Sequence, residues 1–273
     1  MLPFTDSYCQ SGNIETFFNF SWDKWELREC DSIKNDFLRN HEFVKTLQAI
    51  PFIKKSEISK NTHVIDINMD GEYEIIYSGN VGIESDVFVL FQKNNKSYKE
   101  IFKTFGNIIN LEKATVLSPL QIVVHNNGCC GNEDDYLEYY SVMCSNENGL
   151  QVQLAKVINY VKGTVLPEKF VDPIAFCVVK EKYNLRTDPI IDNSEEPYHP
   201  RIIQGNVIEI FAKGDKGYAI SEKIDETGRV WWYVIMKTNK MYQSEIDGQN
   251  YPLYVMGWMS SRYLTRKFPE KPK

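Results

Sequence analysis

The stretch Val64-Ile65-Asp66-Ile67-Asn68-Met69-Asp70-Gly71-Glu72-Tyr73-Glu74-Ile75-Ile76-Tyr77 constrains the chain most tightly. β-Branched apolar residues lead into it and out of it, which makes both flanks strands. Between the flanks, side-chain oxygens recur at Asp66, Asn68, Asp70 and Glu74, and Gly71 stands where a sharp bend calls for positive φ. The stretch therefore reads as strand, tight acidic loop, strand. A calcium ion takes about six to eight oxygen ligands, and alternate residues of a tight loop can supply them. The expected ligands of Ca2+ are the side chains of Asp66, Asn68, Asp70 and Glu74 with the backbone carbonyl of Glu72. The same residues also make a good turn without any metal, because Asp and Asn side chains accept hydrogen bonds from nearby backbone amides.

The pattern around this loop is mainly β with a small helical part, an α+β arrangement. Residues 31–50 have helical spacing at Ile33 and Phe37, and Asn40 is placed to cap a second series carrying Phe43, Val44, Leu47 and Ile50. Earlier, the alternation Phe18-Asn19-Phe20-Ser21-Trp22 predicts a strand. From residue 62 onward the spacing is that of an antiparallel meander, with strands over 62–67, 73–78, 86–91, 98–104, 106–111, 120–125, 136–144 and 150–157. Lys93-Asn94-Asn95-Lys96 and the Asn148-Gly149 dipeptide mark hairpin turns. Two prolines and no periodicity over residues 166–173 set the expected organisation. It is an N-terminal sheet domain over 1–166, a linker over 167–174, a small barrel over 175–266 and a basic tail over 267–273.

Composition narrows the function. The net charge is -6, which argues against a general nucleic-acid binder. The charge sits in residues 1–174, the part with the acidic loop, whereas residues 175–266 balance. No run of about eighteen apolar residues exists, so no transmembrane segment is expected. The N-terminus shows neither a basic head nor an apolar core, leaving a cytoplasmic protein or an exported one whose signal is absent from this chain.

Four blocks in the C-terminal part carry a resemblance. They are Asn184-Leu185-Arg186, Gly205 to Val207, Trp232 to Val234, and Gly257-Trp258-Met259-Ser260-Ser261-Arg262-Tyr263-Leu264. In this order they resemble a bacterial SH3 domain over about 90 residues. The resemblance implies an SH3-like β-barrel that binds a peptide or cell-wall glycopeptide, in a protein of the cell envelope. Two long insertions, 188–200 and 236–253, would border the ligand groove. The expected ligand surface is the place where Tyr183, Asn184 and Arg186 meet the strand Trp231-Trp232-Tyr233. Neighbours in a strand point to opposite faces. The resemblance puts Trp232 inward, leaving Trp231 and Tyr233 for the exposed side, and Trp258 reads as core. The neutral balance of this part argues against polyanions. The acidic loop in turn resembles the calcium loop of FG-GAP, integrin-like propeller repeats, although no second copy occurs in the chain.

Six cysteines complete the reading: Cys9, Cys30, Cys129, Cys130, Cys144 and Cys177. None forms a Cys-x-x-Cys pair, which counts against zinc. In an exported protein the expected disulfides are Cys9–Cys30, or Cys144 with Cys129 or Cys130, while Cys177 is expected to be a buried free thiol. A hydrolase of wall peptides needs a cysteine with a positioned histidine base, and only His125 lies near cysteines in sequence. The expected function is therefore a non-catalytic envelope binding or scaffold protein, with a cell-wall peptide hydrolase or its regulatory partner as the alternative.

Overall fold

The computed structural model describes residues 18, 20–25, 31–50, 53–80, 86–94, 97–112, 120–127, 135–145, 149–169, 171–195, 200–244 and 246–266. The protein is mainly β with a small helical part. It divides into two compact units, one comprising Phe18–Val157 with Met241–Tyr251, the other holding Ile158–Lys240 and the chain from Pro252 onward.

In the first unit, helices α1 (Asp31–Arg39), α2 (His41–Gln48) and α3 (Lys55–Ile58) precede the sheet. The break between α1 and α2 falls at Asn40, whose side chain accepts the Phe43 amide at 3.4 Å, so a cap divides the helical stretch. A four-stranded antiparallel sheet follows in the order β1 (Thr62–Ile65), β2 (Glu74–Asn80), β3 (Asp86–Asn94) and β4 (Ser97–Phe105). One core joins the helices to this sheet: Phe37, Phe43, Leu47 and Ile50 pack with Val64, Ile75, Tyr77, Val89 and Phe91. Alternate residues of β2 serve this core, as a period of two requires. Strands β5 (Asn107–Glu112), β6 (Leu120–Asn126) and β7 (Asp135–Ser145) then pair antiparallel, with β8 (Gly149–Tyr160) next in order.

Among the described residues of 18–22, where a strand was expected, none is formed. Trp22 instead opens a 3-10 turn, Trp22–Lys24, because the Ser21 hydroxyl accepts the Asp23 amide at 3.3 Å and caps it. The indole of Trp22 stacks on His63, with centroids 3.9 Å apart.

The second unit is built from β9 (Ile174–Val178), β10 (Tyr183–Arg186), β11 (Val207–Phe211), β12 (Lys216–Ile224), β13 (Val230–Gln243), β14 (Asn250–Ser260) and β15 (Leu264–Arg266). Strand order runs β15-β9-β12-β13-β14, and β10 pairs with both β11 and β14. Its core gathers Phe176, Leu185, Ile208, Phe211, Trp232, Val234, Met236 and Met259. Gly257 lets β14 pass close to β10: a Cβ there would stand 2.6 Å from the Arg186 carbonyl oxygen and 3.0 Å from Ile208. Segment 164–169 is tied into this unit, since Val165 donates its amide to the Thr187 carbonyl and accepts the Trp258 indole N–H at 2.6 Å.

Cys144 is an exposed free thiol and Cys177 a half-buried one. Cys9, Cys30, Cys129 and Cys130 lie outside the described residues, and so does the pairing expected between Cys9 and Cys30. Among the described residues no helix is long and apolar enough to cross a membrane.

Candidate functional site

In the second unit, the start of β10 and the turn after β14 enclose an open groove of about 390 Å³. Tyr183, Asn184, Arg186 and Trp231 all line it, so four of the five residues expected at the ligand surface share one concavity. Tyr183 is anchored at its far end, where its hydroxyl donates to the Ser260 carbonyl. Its ring stands edge-on to Tyr263, with centroids 5.6 Å apart. Burial raises the Tyr183 pKa, so the phenol is a neutral hydrogen-bonding group.

Arg186 is a fixed part of the wall. Its guanidinium donates to the Asp192 carbonyl at 2.6 Å, to Asn206 Oδ1 at 2.6 Å and to Asn193 Oδ1 at 2.9 Å. Three oxygens satisfy a side chain that is only 6% exposed, and two of them, from Asp192 and Asn193, bind the 188–200 insertion to β10. Burial lowers the Arg186 pKa from its usual high value. The insertion borders the groove, as expected, through Ile191 and Asn193. The 236–253 insertion supplies no residue to it; that stretch continues the β13–β14 hairpin instead.

The aromatic strand departs from expectation. Trp231 is 1% exposed and Tyr233 fully buried, so neither stands on an open face. The reason is topological. Strand β13 is interior, between β12 and β14, and its successive residues Trp231, Trp232, Tyr233 and Val234 are all buried, so both faces are covered there. Tyr233 packs edge-on against Trp258, centroids 5.1 Å apart, and does not reach the groove. Trp232 enters the core and Trp258 is buried. Trp231 forms part of the groove floor, with its indole N–H on Asp225 Oδ2 at 2.9 Å and the Arg229 guanidinium 5.7 Å above its ring.

The sequence reading missed the charge of this groove. Lys180, Lys182, Arg229 and Arg262 line it together with Arg186, and among the described residues none that lines it is acidic. Lys180 lies 5.1 Å from the Tyr263 ring centroid and Arg262 lies 5.6 Å from it. Cations over aromatic faces leave those faces amphipathic rather than simply apolar. Glu195 is exposed and is not among the lining residues; Glu196 lies outside the described residues. A signal was present in the sequence: Lys180, Lys182 and Asn184 share one parity, and Arg262-Tyr263 falls inside the closing block.

In the first unit, the acidic loop forms a compact hairpin tip. Asp66 accepts the amides of Asp70 and Gly71, each at 3.0 Å, and Asp70 accepts the Glu72 amide at 2.8 Å. Asn68 donates to Asp70 at 2.7 Å. Met69 has φ 61° and Gly71 φ 86°; this left-handed turn is the cost of the tight reversal. Glu74 is 1% exposed, and its Oε2 accepts the Ile67 amide at 3.0 Å. Burial, and then the charges of Asp70 and Asp66, push its pKa up from 4.5 to about 7. The Glu72 carboxylate points toward Lys93, at 3.7 Å. Among the described residues no group of three or more His, Cys, Asp or Glu side chains stands together at metal-binding range. By chemistry the donor set, all oxygen and rich in carboxylate, suits a hard cation.

His125 is buried, with its Nε2 3.3 Å from Asp135 Oδ2. Neither described cysteine is hydrogen-bonded to a histidine; Cys144 Sγ lies 3.8 Å from the Asn68 amide.

Compared with known protein families, curated proteins and solved structures, the chain matches none.

Proposed function

We propose that this protein is a non-catalytic binding protein of the cell envelope. Its second unit, read as an SH3-like barrel, holds an anionic peptide or cell-wall glycopeptide in the groove between Tyr183 and Arg262. One observation carries this reading: five cationic side chains and three aromatic rings line a single groove, with no acidic side chain among the described residues that line it. Wall peptides carry free carboxylates, and such groups accept charge-assisted hydrogen bonds from Lys and Arg. The aromatic rings take the apolar parts of the same ligand. The barrel reading draws support from β10, which pairs with β11 on one side and β14 on the other, and from the close passage that Gly257 permits. Titration of the full chain with a carboxylate-bearing muropeptide, against its carboxamide-capped form, tests the reading. Saturable binding of the first and loss of binding in the second is the expected result.

A calcium ion at the hairpin is a second proposal. The buried Glu74 favours it: burial, and after it the charges of Asp70 and Asp66, hold its carboxyl against ionisation, and a divalent cation would relieve the repulsion among the three. Here the ion would be structural and would fix the tip to the neck of the hairpin. Export to an extracytoplasmic compartment, where calcium is abundant, fits both proposals.

A further inference from the structure

The cationic side chains of the groove do not gather at one point. Strand β10 runs extended from Tyr183 to Arg186, and at about 3.3 Å per residue roughly 10 Å of strand separates the two positions. Arg186 pairs with Trp258 of β14, whereas the Tyr183 hydroxyl meets the Ser260 carbonyl further along the chain. The turn after β14 therefore brings Tyr263 to the Tyr183 end, where the Tyr263 ring has both Lys180 and Arg262 beside it. Arg186 stands at the other end.

Each end has capacity for an anion. A guanidinium carries five N–H groups, and Arg186 uses three of them: both on Nη1, for the Asp192 carbonyl and Asn206, and one on Nη2, for Asn193. The Nε–H and the second N–H of Nη2 remain, on a buried side chain that lines the groove. Arg229, over the Trp231 ring, adds charge here. Its field joins the burial that lowers the Arg186 pKa, and it reaches Tyr183 as well. Asp192 partly offsets that charge, but its carboxylate accepts the Ser194 amide at 2.8 Å and does not line the groove. At the Tyr183 end, neither Lys180 nor Arg262 is ion-paired with a carboxylate among the described residues.

A single carboxylate is too short to meet both ends. In an extended peptide, residues two apart have α-carbons roughly 7 Å apart, and a glutamyl side chain adds further reach. A peptide end with a terminal carboxylate and an acidic residue two positions before it therefore matches the groove. Its stem would lie along the Tyr183 and Trp231 rings and the exposed Ile191.

Resting on the reading of this groove as the ligand site, we propose that it recognises a peptide end bearing two carboxylates, one held by Arg186 with Arg229 and the other by Lys180 with Arg262. Calorimetry of the full chain at low salt compares three probes. Acetyl-glutamyl-alanyl-alanine carries two carboxylates; its glutaminyl analogue and its C-terminal amide carry one each. The dianion should bind roughly tenfold or more tightly than either monoanion. Two variants then assign the ends. The cost of losing one carboxylate should shrink in Arg229→Gln, and the cost of losing the other in Lys180→Gln combined with Arg262→Gln. Equal affinity for the dianion and both monoanions overturns the proposal and leaves a groove for a single anion standing. Both carboxylates losing their effect alike in each variant overturns it too, since that describes one shared site. Binding of none of the three probes also overturns it, and the muropeptide titration then decides the wider reading.

Discussion

Glu74 Oε2 accepts the amide hydrogen of Ile67 at 3.0 Å, closing the neck of the acidic hairpin with a carboxylate that water barely reaches. The contact ties the strand before the loop to the strand after it. It also puts an ionisable group where ionisation is unfavourable.

Stability should therefore fall as this group ionises. Its folded pKa of about 7 lies above the ordinary 4.5, so the folded chain holds the proton more tightly than the unfolded chain does. The resulting stabilisation is complete below about pH 4.5 and is lost as pH rises through about 7. A shift of this size corresponds to roughly 3 kcal/mol. Glu74→Gln keeps an oxygen for the Ile67 amide and removes the charge. Urea unfolding from pH 4.5 to 8 should show a shallower decline in the variant than in the parent. Parallel declines would contradict the assignment.

If calcium binds the hairpin, it competes with that proton. Calcium should raise the melting temperature more at pH 8 than at pH 6, because binding to the folded state alone stabilises by mass action. Asp70→Ala should remove the calcium response. Asp66→Ala should remove it too, and should lower stability even without metal by taking away the side-chain acceptor of the Gly71 amide and one of the two acceptors of the Asp70 amide. No heat of binding at pH 8 in metal-stripped protein would defeat the calcium proposal.

Asp225 organises the turn between β12 and β13. It accepts from the Thr227 hydroxyl at 2.6 Å, the Arg229 amide at 3.0 Å and the Trp231 indole N–H at 2.9 Å. The Thr227 and Trp231 bonds hold its pKa well below the usual carboxylate range. A depressed pKa lends stability at neutral pH that disappears as pH falls into the acid range. Asp225→Ala should lower the melting temperature at pH 7 more than at pH 3. It should also open Trp231 to acrylamide quenching. Unchanged quenching would mean that the groove floor does not depend on this turn.

Thiol reactivity should separate the two described cysteines. Cys144 is exposed and Cys177 half-buried, so Cys144→Ser should remove a fast-reacting equivalent with an aromatic disulfide reagent and Cys177→Ser a slower one. A fast phase unaltered by Cys144→Ser would contradict an exposed free thiol at that position.

Much of the strand pattern was legible because period-two alternation and turn residues act locally. The strands expected at 86–91, 98–104 and 120–125 all lie within β3, β4 and β6. Trp22 was misread because a single serine cap outweighed a short alternation. The burial of Trp231 and Tyr233 was not legible. Alternation tells which residues share a face, but not whether the sheet's second face is covered. Groove charge was hidden for a different reason. Residues 175–266 balance in total, yet Lys180, Lys182, Arg229 and Arg262 come from three separate segments that only the fold brings together. Net charge is a sum, and a binding groove responds to its local part.

Charge reversal in the groove puts the proposed function to the test. Lys180→Glu combined with Arg262→Glu alters two exposed side chains that line the groove and leaves the buried Arg186 contacts intact. Calorimetry of the full chain with a carboxylate-bearing muropeptide should then show affinity reduced by about tenfold or more, and weaker salt dependence than in the parent. Muropeptide affinity that is the same in parent and double variant, at low and at physiological salt, would contradict an anion-binding groove at this site.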